Sequence, residues 1–211
     1  MKISYAITVK DELEEIKRLV NTISSYRRAV DEIVIIYDSH NGSPEVKEYL
    51  LSINLENYFF FDFYFDNDFS SLKNYLFSKC SGDYIFNLDA DEYITKEQNE
   101  NIINSLLDNL TFDVIVVPRI NLLTGNVTEQ HIKEFNFCLN DKGWINFPDY
   151  QSRIIKNNKN IKWINKVHEQ LIGSTRTGKF PPEEKFSIMH VKSIEKMSKQ
   201  HLYYKENFYN K

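Results

Sequence analysis

Cysteine is scarce in this chain. Cys80 and Cys138 are the two among 211 residues, and their separation matches neither a thiolate metal site nor a redox pair. Two free thiols in a reducing cytoplasm are the expected state, so the expected localisation is cytoplasmic, with peripheral membrane attachment left open. A glycine-rich phosphate loop is also missing. Where one would follow the first apolar run stands Thr8-Val9-Lys10-Asp11, which excludes a dinucleotide fingerprint and a Walker motif. Long apolar runs are absent too. Residues 58–65 form the most apolar segment and are interrupted by Asp62, well short of the roughly 20 residues a membrane helix needs. The opening residues turn charged too soon for a signal peptide. No excess of positive charge exists either: the formal net charge is −4. Nucleic acid is therefore not an expected partner, because such binding rests on neutralising phosphates.

What is present suits one sizeable core. The chain is 42% hydrophobic and 14% aromatic, an ordinary globular composition for a single domain covering residues 1–211. In the first half, strand and helix signals alternate. Strands are expected at 3–9, 32–37, 58–64, at the run from Tyr84, and at 112–118. Helices are expected at 11–26, from Pro44 behind the N-cap Ser43, at 70–79, and from the Thr95/Gln98 capping box through Asn109. Leu13, Ile16, Leu19, Val20 and Ile23 form the apolar stripe of the first helix. This alternation predicts an α/β fold with a mainly parallel sheet flanked by helices. Past Pro118 the segments shorten, with strands expected at 153–156, 161–164 and 186–191 and a terminal helix at 193–208. Residues 1–117 read as a ligand-binding half and 118–211 as a smaller second half.

The densest chemical signal is Tyr84-Ile-Phe-Asn-Leu-Asp89-Ala90-Asp91-Glu92, a short apolar strand that empties into adjacent carboxylates. Like charges crowded at a strand end call for a cation. Hard oxygen ligands in an Asp-x-Asp pattern suit Mg²⁺ or Mn²⁺, which keep waters and take further ligands from substrate phosphates. In open α/β sheets, ligands sit outside the carboxyl ends of the strands. Here those ends carry Thr8 and Lys10, Asp38, and Asp89 with Asp91.

Two longer blocks make a resemblance specific. The first is Asn67-Asp68-Phe69-Ser70-Ser71-Leu72-Lys73-Asn74, followed by Ser81-Gly82-Asp83 and the acidic strand. The second is Lys142-Gly143-Trp144-Ile145-Asn146-Phe147-Pro148-Asp149-Tyr150-Gln151-Ser152-Arg153, followed by Lys166-Val167-His168-Glu169. Together they resemble glycosyltransferase family 2 of GT-A fold, in a small bacterial and viral subgroup.

That resemblance implies a metal-dependent, inverting transfer of sugar from a nucleoside-diphosphate sugar to a saccharide or lipid-linked acceptor. It makes Asp91 the direct ligand of Mn²⁺ or Mg²⁺, with Asp89 on the ribose or a metal-bound water and His168 as a third ligand. His190 is the rival histidine; His40, His131 and His201 read as solvated. Thr8, Val9, Lys10, Asp11, Asp38, Lys73, Asp89, Ala90 and Arg153 would face the nucleotide sugar. Arg153 reads equally well as a partner of nearby acids. Asp149 is the candidate base, its pKa expected to rise beside Trp144, Phe147 and Tyr150, and Glu169 competes for that role. Trp144, Tyr150 and Trp163 are candidates to stack on acceptor sugars. A nucleotidyltransferase of similar fold and a non-catalytic sugar- or nucleotide-binding module are the alternatives; a modified nucleic-acid base is the alternative acceptor.

Overall fold

The computed structural model describes residues 1–108 and 110–204. The chain opens with β1 (Ile3–Val9), α1 (Leu13–Tyr26), β2 (Glu32–Asp38), α2 (Pro44–Ser52), β3 (Tyr58–Phe63), α3 (Phe69–Lys79) and β4 (Tyr84–Asp89). These four strands lie parallel in the order β3-β2-β1-β4. β2 is buried at every residue, as its unbroken apolar run requires of a strand covered on both faces. The α1 stripe buries Ile16, Leu19, Val20 and Ile23, and Ser43 caps α2 with Pro44 in its first turn. α1 begins at Leu13, two residues later than expected. α3 begins at Phe69 because the Asp68 carboxylate accepts from Ser71 N at 2.9 Å.

The sheet continues through β5 (Glu92–Tyr93), α4 (Lys96–Asp108), β6 (Val114–Thr124), α5 (Glu129–Glu134) and β7 (Ile145–Lys156). Thr95 and Gln98 exchange backbone-to-side-chain bonds of 2.9 and 3.2 Å, forming the expected capping box of α4. The expected helix end at Asn109 lies outside the described residues. β6 runs through Pro118, where the rhythm of the sequence changes, and pairs antiparallel with β7. The segment expected as a short strand at 153–156 is the end of twelve-residue β7. β7 lies between β4 and β6, antiparallel to both, which leaves β6 parallel to β1–β4.

A separate hairpin follows, β8 (Lys162–Ile164) with β9 (Gln170–Ile172), then β10 (Thr177–Lys179), β11 (Ile188–Ser193) and α6 (Ile194–Tyr204). β11 starts two residues later than expected because Glu184–Phe186 form a 3₁₀ turn. It pairs parallel with β6 and antiparallel with β5. Residues 205–208 of the expected terminal helix lie outside the described residues. No helix among the described residues is long and apolar enough to cross a membrane.

The strand starts are tied by a buried carboxylate. Glu32, 1% exposed, accepts from Ser4 Oγ at 2.6 Å, Ser81 N at 2.6 Å, Ser81 Oγ at 2.7 Å and Lys2 Nζ at 2.6 Å. Gly82 makes this closure possible: a Cβ there would stand 2.6 Å from Ser4 N. Burial alone would raise the Glu32 pKa, but the Lys2, Ser4 and Ser81 donors outweigh it and bring it from 4.5 to about 2. A folded pKa below the unfolded one stabilises the protein above the unfolded value, and the gain disappears as pH falls through the folded value. Glu32→Gln should therefore cost up to roughly 3 kcal/mol at pH 7. The difference from wild type should shrink between pH 4.5 and 2. Urea unfolding at pH 7 and at acid pH measures it; an equal gap at both would remove Glu32 from the account.

Candidate active site

The carboxyl ends of β1, β2 and β4 open into one cleft of about 970 Å³. From the first half it is lined by Thr8, Val9, Lys10, Asp11, Asp38, Lys73, Asp89, Ala90 and Asp91, and from the second by Asp149 and Glu169. Of the residues expected at the nucleotide or the metal, Arg153 and His168 lie outside the cleft lining. Arg153 is buried at 3% exposure and absent from the lining. It pairs with Asp89, at 2.6 Å, and with Glu92, so it neutralises the acidic strand end and does not face the cleft. His168 is exposed, outside the cleft lining, at the turn between β8 and β9 with φ of 53°.

The histidine at the acidic motif is His190, the rival in the sequence reading. Its Nε2 lies 3.3 Å from Asp91 Oδ2, and Lys192 Nζ lies 3.4 Å from the same oxygen. Burial would raise the Asp91 pKa, but the His190 hydrogen bond and charge, with Lys192, pull it down to about 2. Asp89 is also held below its ordinary value; burial works against ionisation, and the Arg153 and Lys73 charges overcome it. Behind both sits Glu92, fully buried, which accepts from Asp89 N at 3.0 Å and from Arg119 Nη1 at 3.1 Å.

Asp149 is a mid-strand residue of β7, and its surroundings differ from the apolar wall expected. Its Oδ2 accepts from Arg119 Nε at 2.9 Å, Arg119 Nη2 at 2.7 Å and Asn121 Nδ2 at 2.9 Å; Oδ1 accepts from Gln151 Nε2 at 2.7 Å. Burial pushes the pKa upward, yet Arg119 and these donors carry it below 3.8, so the expected rise is reversed. Arg119 and Asn121 both reach one carboxylate because they stand two residues apart on β6 and so share a face, with Arg119 directly opposite Asp149 on β7.

Glu169 pairs with Lys73, whose ammonium stands 4.6 Å above the Trp163 ring. Lys73 is thereby engaged by protein acid and aromatic face alike. Asp38 accepts from His40 N at 2.9 Å and Asn41 N at 3.0 Å, closing the turn after β2. Trp163 is 7% exposed and belongs to the interior, whereas Tyr150 lines the cleft with Lys179 Nζ 3.8 Å above its ring. Trp144 is outside the lining and packs at 4.8 Å against Phe147. His131 caps α5, its Nδ1 3.2 Å from Thr128 N, and His201 meets the Phe135 ring edge-on.

Arg119, Asn121 and Lys192 went unnoticed in the sequence. They stand 28 or more residues after Asp91, on β6 and β11, with no local pattern to mark them. A divalent ion fits this corner. Asp91 and His190 offer a hard oxygen and an imidazole nitrogen side by side at the cleft wall. Among the described residues no cluster of three or more His, Cys, Asp or Glu converges on one point. The remaining ligands would have to come from substrate and water, the habit of Mg²⁺ at phosphate sites.

Comparison with known proteins adds four matches. The profile of Glycosyl transferase family 2 matches residues 4–175. The fold is similar to Staphylococcus aureus TarS 1-349 in complex with UDP-GlcNAc, with TM-score 0.65 and 15% identity over 91% of this chain and 59% of that one. The complex of TarS 1-349 with UDP superposes with TM-score 0.60 and 14% identity, covering 94% of this chain and 63% of that one. Among curated sequences, the β subunit of the chloroplast acetyl-coenzyme A carboxylase carboxyl transferase of Arabidopsis thaliana is 32% identical over 155 residues. That match covers 65% of this chain and 31% of the relative, so the chain spans about a third of that relative's length.

Proposed function

The chain belongs to glycosyl transferase family 2; from that premise we propose that it is a glycosyltransferase that moves a sugar from a nucleoside-diphosphate sugar to a hydroxyl acceptor, with inversion and with a divalent cation. The observation that carries this reading is the meeting of Asp91 with His190, 3.3 Å apart, in the cleft that also exposes Asp149. Asp91 and His190 would hold Mn²⁺ or Mg²⁺, with Asp89 held behind them by Arg153. When bound, the ion supplies Lewis-acid stabilisation of the departing diphosphate.

The protein's own groups account for the rest. Thr8, Val9, Lys10, Asp11 and Asp38, at the ends of β1 and β2, form the wall for the nucleoside. Asp149, anionic at neutral pH, takes the acceptor's proton as its oxygen attacks the anomeric carbon. The bond from that carbon to the phosphate oxygen breaks, and its electron pair leaves with the diphosphate. A base of low pKa is adequate where the transition state is oxocarbenium-like and the proton moves late. Attack on the face opposite the leaving group inverts the anomeric centre. Both carboxylates are ion-paired, Asp149 with Arg119 and Glu169 with Lys73; Asp149 is preferred because it shares a side-chain contact chain with the metal-side histidine. Leu122, Phe137, Ile145, Pro148 and Tyr150 give the acceptor side an apolar and aromatic wall, suited to sugar faces and to a lipid-linked saccharide.

A panel of UDP-, GDP- and dTDP-sugars, assayed with Mn²⁺, Mg²⁺ and EDTA, tests the proposal through release of nucleoside diphosphate. Turnover of at least one donor, dependent on the divalent ion and lost in EDTA, is expected. Undiminished turnover in EDTA would reject the metal, and pyrophosphate release from a nucleoside triphosphate would favour nucleotidyl transfer.

A further inference from the structure

Close polar contacts run in one unbroken line from Asp149 to Asp91 through two side chains of the sheet. Asn121 Nδ2 donates to Asp149 Oδ2 at 2.9 Å, Asn121 Oδ1 lies 2.8 Å from His190 Nδ1, and His190 Nε2 lies 3.3 Å from Asp91 Oδ2. The first link fixes the others. An ionised carboxylate only accepts, so it selects the NH₂ end of the Asn121 amide. The amide oxygen is then left for His190, and an oxygen facing a ring nitrogen requires that nitrogen to carry the proton. Asn121 and His190 are direct register partners between β6 and β11, which holds the amide and the ring at fixed separation.

We propose that Asn121 is a positioning residue that links the base to the metal-side histidine: anchored by Asp149, it holds the His190 proton on Nδ1 and leaves the Nε2 lone pair for the ion beside Asp91. The inference rests on the metal reading given above and adds a dependence which that reading does not contain. Asp149, a residue of the acceptor side, contributes to metal affinity through Asn121. Alanine at 121 removes both links. Asparagine at 149 removes the carboxylate that orients the amide and leaves its shape. Outer partners of ligating histidines typically contribute about 10- to 100-fold to metal affinity.

The test is Mn²⁺ binding to the full chain, followed by electron paramagnetic resonance with the metal alone, for wild type, Asp91→Ala, His190→Ala, Asn121→Ala, Asp149→Asn and the Asn121→Ala/Asp149→Asn double variant. Asn121→Ala should weaken binding about tenfold or more, and Asp149→Asn by a smaller factor. The double variant should bind no worse than Asn121→Ala, because the second change acts through the first. Affinity within twofold of wild type for Asn121→Ala, or losses that multiply in the double variant, would overturn the proposal. Failure of the metal reading has a different signature: wild type without Mn²⁺ binding, or Asp91→Ala and His190→Ala binding as wild type does. A second readout needs no variant. In Mg²⁺-loaded wild type, long-range ¹H–¹⁵N spectra should place the His190 proton on Nδ1; a proton on Nε2 with bare Nδ1 would refute the assignment.

Discussion

Asp91→Ala should abolish sugar transfer, by about 10³-fold or more in kcat, and should eliminate Mn²⁺ binding while leaving the circular dichroism unchanged. The magnitude follows from preorganised electrostatics in a closed site, where losing one group that faces developing charge costs about 10²–10³ and losing a metal ligand costs more. Asp91 makes no contribution to the core that alanine would forfeit. Its carboxylate is 15% exposed and faces His190 and Lys192 in the cleft. Because the fold holds the Asp91 pKa down at about 2, removing its carboxylate also forfeits a favourable interaction with His190 and Lys192, and thermal stability should fall modestly at neutral pH. Asp89→Ala makes an instructive contrast, because Asp89 is paired with the buried Arg153. Its removal leaves a buried guanidinium with one acid fewer, and a stability loss of about 3 kcal/mol or more should accompany the lost activity. Thermal melts of the two variants separate a catalytic carboxylate from one that is also structural. If Asp91→Ala retains a tenth of wild-type turnover in EDTA-treated buffer, the cation is not placed where we propose.

Asp149→Asn should lower kcat by about 10²–10⁴ with little change in KM for the donor. The substitution keeps the shape and the bonds that an amide oxygen can accept from Arg119, but it removes the group that takes the acceptor's proton. Donor hydrolysis by water should fall less than transfer to an acceptor, since a stray water has other routes for its proton. Because the Asp149 pKa lies below 3.8, the base is already deprotonated throughout the neutral range. Its titration should therefore put no acid limb into the rate profile between pH 5 and 8, and such a limb, if seen and lost in Asp149→Asn, would contradict the depressed value. Glu169→Gln provides the control. It breaks the pair with Lys73, and a kcat loss matching that of Asp149→Asn, with Asp149→Asn itself near wild type, would transfer the role to Glu169.

The parts of this protein that could be read from its sequence are those whose signals are local. β1, β2, β4 and the helices between them come from runs and caps of a few residues. The acidic motif at the end of β4 is one continuous stretch, and the carboxyl ends of β1 and β2 follow from the parallel order. The second half was less legible because its meaning lies in pairing. β7 looked like a short strand near Arg153, yet it runs for twelve residues because β4 and β6 flank it on either side. Asp149 was identified but its environment was misjudged, since sequence neighbours are not spatial neighbours on an extended strand. Phe147 lies two residues before it in the chain, whereas the charge of Arg119 lies opposite it on the next strand. His168 carries the stronger local pattern and His190 the weaker, yet it is β11 that brings a histidine to Asp91. Arg119 is a lone arginine after Pro118, and only the assembled sheet gives it its two acids, Asp149 directly opposite on β7 and Glu92 on β5.

The pairing of β11 has a bearing on how such enzymes diverge. His190 stands on the rung of the ladder shared with Asn121 on one side and Glu92 on the other. A slip of that strand by a single step would present Met189 or Val191 in its place, and the ion proposed beside Asp91 would lose its nitrogen. Insertions and deletions anywhere between the acidic motif and β11 are harmless on this count, provided the rung is kept. At the proposed metal site, the rung and not the chain distance from Asp91 sets which histidine meets the acid.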